Sequence, residues 1–109
     1  MRALSLLGFA QAGGHLVSGY NGCLAVLRRG QGHLVVLATD ASASTKEKFV
    51  RAAKQTPVVL MSTKEELGAA VGKSARAVLC VREPGIAAAI AKAVNTRATE
   101  AEGAHGRVK

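Results

Sequence analysis

The amino-acid sequence predicts an α/β protein, a three-layer α/β/α sandwich built on a small mixed sheet of about four strands. Short apolar segments alternate with amphipathic segments of helical periodicity, an order of elements typical of a sheet with helices on both faces. At 109 residues the chain is long enough for one hydrophobic core and too short for two. Because Trp is absent and the aromatic residues are Phe9, Tyr20 and Phe49, that core must be mainly aliphatic.

Four short segments are predicted as strands. Three are continuous apolar runs, the pattern of a strand covered on both faces, and the fourth is an apolar triplet. The runs are Leu34–Ala38, Val58–Met61 and Ala77–Val81, and the triplet is Leu16–Ser18. Since Leu34–Ala38 is rich in β-branched residues, we expect it at the centre of the sheet.

Helical periodicity predicts five helices, over residues 1–12, 19–29, 45–54, 64–71 and 86–94. Hydroxyl side chains precede three of these helices and can cap them. Before the fourth helix, the hydroxyl residue is followed three positions later by a Glu, the pattern of a capping box. These candidates are Ser18 for the second helix, Ser44 or Thr45 for the third, and Ser62 or Thr63 for the fourth. The third helix is expected to turn Phe49, Val50 and Ala53 inward.

The chain is predicted to form a single RNA-binding domain over residues 1–95. Beyond Asn95 the apolar periodicity ends, and residues 96–109 mix Ala, Gly, Thr and charged residues. Such a segment buries little apolar surface, so we expect a disordered basic tail.

The charge of the chain points to a polyanionic partner. Fifteen Lys and Arg against seven Asp and Glu give a formal charge of +8 and a pI near 10.2. Anionic lipid would also attract this charge, but the sequence offers neither a convincing basic amphipathic helix nor an apolar run of about 18 residues. Cys23 and Cys80 lie far apart without CxxC spacing, and two cysteines are too few for a disulfide framework. We therefore expect a cytoplasmic protein with no membrane partner.

The predicted entry into the second helix is the first candidate binding site. The segment Val17–Gly22, which includes Ser18, joins a strand to a helix N-terminus, where free N–H groups favour phosphate oxygens. Asn21 can donate to and accept from a base edge, and Gly19 allows close backbone approach. The same residues also make an ordinary helix entry. Tyr20 either stacks on a base, worth about 1–3 kcal/mol, or only covers the first helical turn.

A second candidate is the loop before the last strand. Lys73, Ser74, Ala75 and Arg76 follow Gly72 and place two cations on a flexible segment of small residues. That arrangement suits a clamp on phosphate groups. The alternative is a solvated connection whose charges only keep the domain soluble.

Catalysis has weak support in the sequence. A cysteine nucleophile needs a base within hydrogen-bond reach, and Cys23 with His15 or His33 is the candidate pairing. Cys23 falls on the inner face of a predicted helix, where free cysteine usually behaves as a small hydrophobe. The histidines lack metal-ligand spacing. The glycines match neither of the glycine-rich nucleotide-binding motifs, GxGxxG and GxxxxGK(S/T). We expect no metal, no cofactor, no small-molecule substrate and no enzymatic activity.

Five segments together carry a resemblance that goes beyond periodicity: Leu6–Ala10, Leu16–Gly19, Leu34–Ser42, Ser62–Gly68 and Gly72–Val78. Over about Leu4 to Val94, the sequence resembles the ribosomal protein seven-Ae family of kink-turn RNA binders, and within it the small bacterial YlxQ-like branch. The resemblance implies the same sandwich and no catalysis. It also implies binding to the sharply bent internal loop of a kink-turn, with its sheared G·A pairs read in the widened groove.

The resemblance extends to the two candidate sites. In the family a Gly-x-Asn-Glu motif opens the second helix, and Gly19, Tyr20 and Asn21 match its first three positions. The family's second contact region corresponds to Lys73 through Arg76. Gly22 stands where the motif has a Glu that accepts from a guanine edge. Losing one base contact costs about 1–3 kcal/mol, so we expect kink-turn binding weakened about tenfold to a hundredfold without a change of fold.

The sequence therefore predicts a non-enzymatic, ribosome-associated protein that binds structured RNA, either a kink-turn or another ribosomal or non-coding RNA, in a ribonucleoprotein. The predicted contacts are Ser18, Gly19, Tyr20, Asn21, Lys73, Ser74, Ala75 and Arg76. The alternative from another class is a protein-interaction module on the same fold, in which RNA specificity has lapsed with Gly22.

Overall fold

The computed structural model of the chain describes the backbone of residues 2–104 and the side chains of residues 2–95. Helices and strands alternate along it, as the sequence predicts. The helices of the described residues are α1 (Arg2–Ala12), α2 (Tyr20–Arg28), α3 (Ala43–Ala53), α4 (Lys64–Ala70) and α5 (Pro84–Ala104). The strands are β1 (Leu16–Ser18), β2 (Leu34–Leu37), β3 (Val58–Leu60) and β4 (Val78–Val81).

The four strands form one mixed sheet in the order β1-β4-β2-β3. β2 pairs parallel with β3, whereas β4 pairs antiparallel with both β1 and β2. The predicted central position of the Leu34 strand is confirmed, because β2 and β4 are the inner strands and all their residues are buried. β1, β2 and β3 consequently run in the same direction, and their carboxyl ends meet at one end of the sheet.

Alternate side chains of the strands enter two apolar cores, one on each face of the sheet. The expectation that the chain is too short for two cores is therefore wrong, because a sheet covered on both faces has an apolar layer on each side. Leu34 and Val36 of β2 pack with residues of α1, α4 and α5, while Val35 and Leu37 pack with residues of α2 and α3. A period of two along a strand requires this division. The predicted three-layer sandwich is confirmed, with three helices on one face and two on the other.

Two of the predicted helix caps are wrong. α2 begins after Gly19 instead of Ser18, and no side chain caps it. α3 begins two residues earlier than predicted, because Ser42 accepts the backbone N–H of Thr45 at 3.1 Å. The predicted capping box of α4 is confirmed at Thr63, whose hydroxyl accepts from the Glu66 backbone N–H.

The prediction that Val50 faces inward with Phe49 and Ala53 is wrong. Phe49 and Ala53 are buried, but the side chain of Val50 is 56% exposed. Successive residues of a helix are turned by about 100°, so the neighbour of a central core residue lies at the flank of the buried stripe. Burial of Phe49 at the centre of the stripe therefore turns Val50 outward.

The last helix extends beyond its predicted end near Val94 and runs to Ala104. Residues 96–104 include three Ala and two Glu, residue types of high helix propensity, so the helix continues there without the apolar periodicity on which its predicted end was based. Residues 105–109 of the predicted tail lie outside the described residues, and the division of the chain at residue 95 remains a prediction. Among the described residues, no helix is both long and apolar enough to cross a membrane.

Replacement of Ser42 by alanine tests the corrected start of α3. Ser42→Ala removes the acceptor for the Thr45 N–H and is expected to lower the free energy of unfolding by about 1 kcal/mol. Ser44→Ala, the matched control at the cap position that the sequence predicts, should change it by less than about 0.5 kcal/mol. Urea denaturation of both variants measures the difference, and a larger loss at Ser44 would contradict the assignment.

Candidate nucleic-acid interface

The pairing of β1 with β4 brings the two candidate segments side by side. Ser18 is the register partner of Leu79, and the backbone N–H of Gly19 donates to the carbonyl of Val78 at 3.0 Å. The loop from Lys73 to Arg76 leads directly into β4. Residues 18–21 and 73–76, which are more than fifty positions apart in the sequence, therefore lie at the same end of the sheet.

A hydrogen bond from Arg76 joins the two segments directly. Its Nε donates to the hydroxyl of Ser18 at 3.3 Å. Its Nη1 donates to the hydroxyl of Ser74 at 2.8 Å and to the carbonyls of Ser74 and Ala75, both at 3.2 Å. Arg76 thus organises the loop on which it lies, whereas the neighbouring Lys73 is an exposed cation.

α2, α3 and α4 each follow a strand that ends at this end of the sheet, and α2 differs from the other two in its N-cap. Ser42 caps α3 and Thr63 caps α4, but the N-cap of α2 is Gly19, at φ 97°, without a side-chain hydrogen bond. The first turn of α2, like that of α3, lacks acidic residues, whereas α4 has Glu65 and Glu66 there. The first N–H groups of a helix have no partner within it, so α2 offers uncompensated donors and the positive end of its dipole to an anion.

The side chains of Tyr20 and Asn21 differ in how firmly they are held. Asn21 is exposed. The ring of Tyr20 packs edge-on against Phe49 of α3, with centroids 5.1 Å apart and planes at 84°, and remains 44% exposed. An aromatic pair of this geometry stabilises the contact between two helices. Tyr20 therefore anchors α2 to α3 and still presents part of its ring at the surface.

Gly68 of α4 places the loop, a role that the sequence alone did not indicate. A Cβ at this position would lie 2.6 Å from the Ser74 carbonyl carbon and 3.0 Å from the Cα of Ala75. The Gly68 carbonyl accepts from the Lys73 N–H at 2.8 Å, and the Lys64 carbonyl accepts from the Arg76 N–H at 3.0 Å. The loop backbone thus lies directly on α4, and only glycine leaves room for it.

Gly22 is packed more closely than its exposed surroundings indicate. A Cβ at residue 22 would lie 2.7 Å from Cγ1 of Val17, so the missing side chain lets α2 approach β1. A larger residue here requires Val17 to move. Gly22 stands where the family motif has a glutamate. A glutamate at this position would therefore also change the packing of Val17.

Two further lysines lie at this end of the sheet. Lys46 donates from Nζ to the carbonyl of Thr39 at 2.8 Å, and the backbone N–H of Lys64 donates to a carboxylate oxygen of Asp40 at 2.9 Å. One oxygen of Asp40 is thus engaged at the start of α4. With Lys73 and Arg76, these lysines supply four positive charges at this end of the sheet, where Asp40, Glu65 and Glu66 supply three negative ones, so the local excess of positive charge is small.

The cysteines are unsuited to nucleophilic chemistry. Both are buried and free, and Cys23 donates from Sγ to the carbonyls of Val17 and Val78. Burial raises the pKa of the Cys23 thiol far above its ordinary value, and the nearby Cys80 adds to the rise. Burial raises the pKa of Cys80 to about 11, although Arg82 acts in the opposite direction. At neutral pH both are protonated thiols, the unreactive form.

Comparison with known proteins assigns the family. The family model described as "Ribosomal protein L7Ae/L30e/S12e/Gadd45 family" matches residues 1–92. The RNA-binding protein YlxQ of Bacillus subtilis (strain 168) is 32% identical over 89 residues, which cover 80% of this chain and 89% of that protein. The chain therefore belongs to the L7Ae/L30e/S12e/Gadd45 family, as the sequence landmarks predict.

Solved structures of similar fold cover most of the chain. A Bacillus halodurans protein of unknown function matches with a TM-score of 0.83 and 32% identity, over 86% of this chain and 97% of its own. The Giardia lamblia 15.5kD RNA binding protein matches with a TM-score of 0.73 and 25% identity, over 85% of this chain and 84% of its own. Most of the sandwich is thus shared with these proteins.

Substitution of Gly68 tests the placement of the loop. Gly68→Ala puts a methyl group into the backbone of Ser74 and Ala75, and is expected to displace the loop and lower the free energy of unfolding by about 1–3 kcal/mol. The matched control is Ala69→Ser, which adds one atom at the exposed neighbouring position.

Amide chemical shifts and urea denaturation measure both effects. Large shifts confined to residues 72–76 and the start of α4 are expected for Gly68→Ala only. Native shifts and native stability in this variant would contradict the close packing of the loop on α4.

Proposed function

We propose that this protein binds structured RNA of the kink-turn type without catalysing a reaction. The N-terminus of α2 receives the RNA backbone and a base edge, and the loop Lys73–Arg76 holds phosphate groups beside it. The observation that carries the proposal is the meeting of these two segments at one end of the sheet, joined by the hydrogen bond from Arg76 to Ser18. The RNA is ribosomal or another non-coding RNA, and the protein acts in the cytoplasm.

The chemistry of this surface supports RNA over other partners. Free N–H groups at the start of α2 suit phosphate oxygens, the exposed carboxamide of Asn21 suits a base edge, and Lys73 supplies an exposed charge on the rim without closing a pocket. Because the surface is open, a long RNA backbone can bind there and continue beyond the site. The basic charge of the whole chain favours association with it.

The relatives support the same assignment at a coarser level. YlxQ of Bacillus subtilis is named as an RNA-binding protein, and the Giardia lamblia protein of the same fold is likewise named as one. The matching family includes ribosomal proteins by its description, which supports ribosomal RNA as the partner.

The thiols of Cys23 and Cys80 are free, as expected in a reducing cytoplasm.

A titration with two labelled RNAs tests the proposal. One RNA contains a kink-turn, and the other is identical except that its sheared G·A pairs are replaced; both are measured at physiological salt. Tighter binding to the kink-turn supports the proposal. Equal and strongly salt-dependent binding to both contradicts base recognition, and no binding to either favours the protein-interaction module.

Asn21→Ala is expected to weaken kink-turn binding about tenfold to a hundredfold, since it removes a contact to a base edge worth about 1–3 kcal/mol. The free energy of unfolding should stay nearly unchanged, because the side chain is exposed. Gln55→Ala removes an exposed carboxamide outside this surface and serves as the control. The same titration measures both variants, and an unchanged affinity for Asn21→Ala would remove Asn21 from the site.

Lys73→Gln is expected to weaken binding to both RNAs by a similar factor. The side chain contacts phosphate in this proposal, so the slope of log K against log salt concentration should become shallower by about 0.9. Lys48→Gln, which removes an exposed charge from the outer face of α3, is the matched control. A loss confined to the kink-turn RNA would instead assign Lys73 to base recognition.

A further inference from the structure

A second cluster of donor groups lies at the end of the sheet opposite to the proposed RNA surface. His15 and Arg82 adjoin the pair Leu16–Val81 at the edge of the ladder, and the Arg82 N–H donates to the His15 carbonyl at 2.7 Å. His33 adjoins the pair Leu34–Val81, and its N–H donates to the Val81 carbonyl at 2.8 Å. Three neighbouring strands thus place His15, Arg82 and His33 side by side, with Arg82 in the middle.

These side chains line an open cleft of about 380 Å³, together with Gly14, Gly30 and Gln31. Leu16, Val81 and Leu34 all belong to the core under α1, α4 and α5. Because side chains alternate along a strand, the next residue outward on each strand is directed to the face covered by α2. The cleft therefore lies beyond the end of α2, where the turn at Gly30 forms its wall.

The cleft is chemically suited to an anion. Guanidinium and carboxamide groups supply several N–H donors, and each neutral imidazole supplies one more. Arg28 in the last turn of α2 and Arg29 at its C-cap add positive charge nearby. A guanidinium between the two imidazoles works against a metal cation, and among the described residues no group of three or more His, Cys, Asp or Glu could hold a metal.

Some of the groups near the cleft that would repel an anion already accept hydrogen bonds within the protein. The carbonyls of Val26 and Leu27 at the end of α2 accept the N–H groups of Gln31 and Gly30, at 3.1 and 3.0 Å. The acidic neighbour of Arg82 is Glu83, whose carboxylate accepts the Ile86 N–H at 2.6 Å and so caps the start of α5. The donors of the cleft are thus left without a strong competing acceptor among these groups.

We propose that this cleft is a second phosphate-binding site, which takes the backbone of an RNA strand. The lining side chains are exposed and none is Phe, Tyr or Trp, so the open cleft offers donors to a phosphate group without enclosing a base or a whole nucleotide. The inference rests on the proposed function in one respect: the protein then contacts RNA at both ends of its sheet. This arrangement holds either a single RNA that folds around the domain or two separate RNA segments.

Amide chemical-shift titrations of the full chain test the site. The probes are inorganic phosphate and a single-stranded hexauridylate, which contains no kink-turn. Both are expected to shift the amides of Gly14, Gln31, His33 and Arg82. Arg82→Gln should weaken hexauridylate binding at these amides about tenfold and make the salt slope shallower by about 0.7. His33→Gln is a second variant that leaves the guanidinium in place and should also weaken binding.

Lys48→Gln is the control, because it removes the same charge from a residue outside the cleft. Equal effects of Arg82→Gln and Lys48→Gln, or no shifts at the cleft, overturn the inference. Shifts with phosphate but none with hexauridylate mean a site for small anions and overturn its assignment to RNA.

The kink-turn titration separates this inference from the proposed function. Kink-turn preference without shifts at the cleft contradicts only the second site. If the unmodified protein shows no preference for the kink-turn RNA, and the amide shifts at the cleft are still seen in Asn21→Ala, the second site is supported. Only the kink-turn assignment is then contradicted.

Discussion

The antiparallel pairing of β1 with β4 is the constraint on which the candidate interface depends. It sets Ser18 opposite Leu79 and so fixes the entry of α2 beside the loop that leads into β4. β4 is an inner strand, since it is fully buried and also pairs with β2 along its other edge. The same strand carries Arg82 to the other end of the sheet, next to His15 and His33. One strand thus positions both groups of potential phosphate contacts.

The chemistry of the interface follows from what α2 lacks. α3 and α4 satisfy their first N–H groups with Ser42 and Thr63, whereas α2 begins at Gly19 without such a cap. Glycine at φ 97° is a conformation that residues with side chains rarely adopt, so the uncapped start of α2 depends on Gly19. Gly68 has the complementary role, because it lets the loop at Ser74 lie against α4. The two glycines shape the surface, and Asn21, Lys73 and Arg76 supply its polar groups.

Periodicity predicted the fold well because the two inner strands are covered on both faces, and a short, β-branched apolar run such as Leu34–Leu37 is typical of a buried strand. It failed where local choices are nearly equal in energy: Ser42 instead of Ser44 caps α3, and α5 continues past the end of its apolar periodicity. For the interface, the sequence indicated which two segments to consider, through motif and resemblance. Their junction through Arg76 and Ser18 and the cleft at Arg82 depend on strand register, which no short motif encodes. The role of Gly68 depends on the packing of the loop against α4.

The most direct test of the interface is to map amide chemical shifts of the full chain during titration with a kink-turn RNA. The largest shifts are expected on Gly19–Gly22 and on Lys73–Arg76, at the same RNA concentration, because the two segments form one surface. Shifts concentrated instead around exposed Phe9 on α1 or Leu60 on β3, with residues 19–22 unaffected, would contradict it.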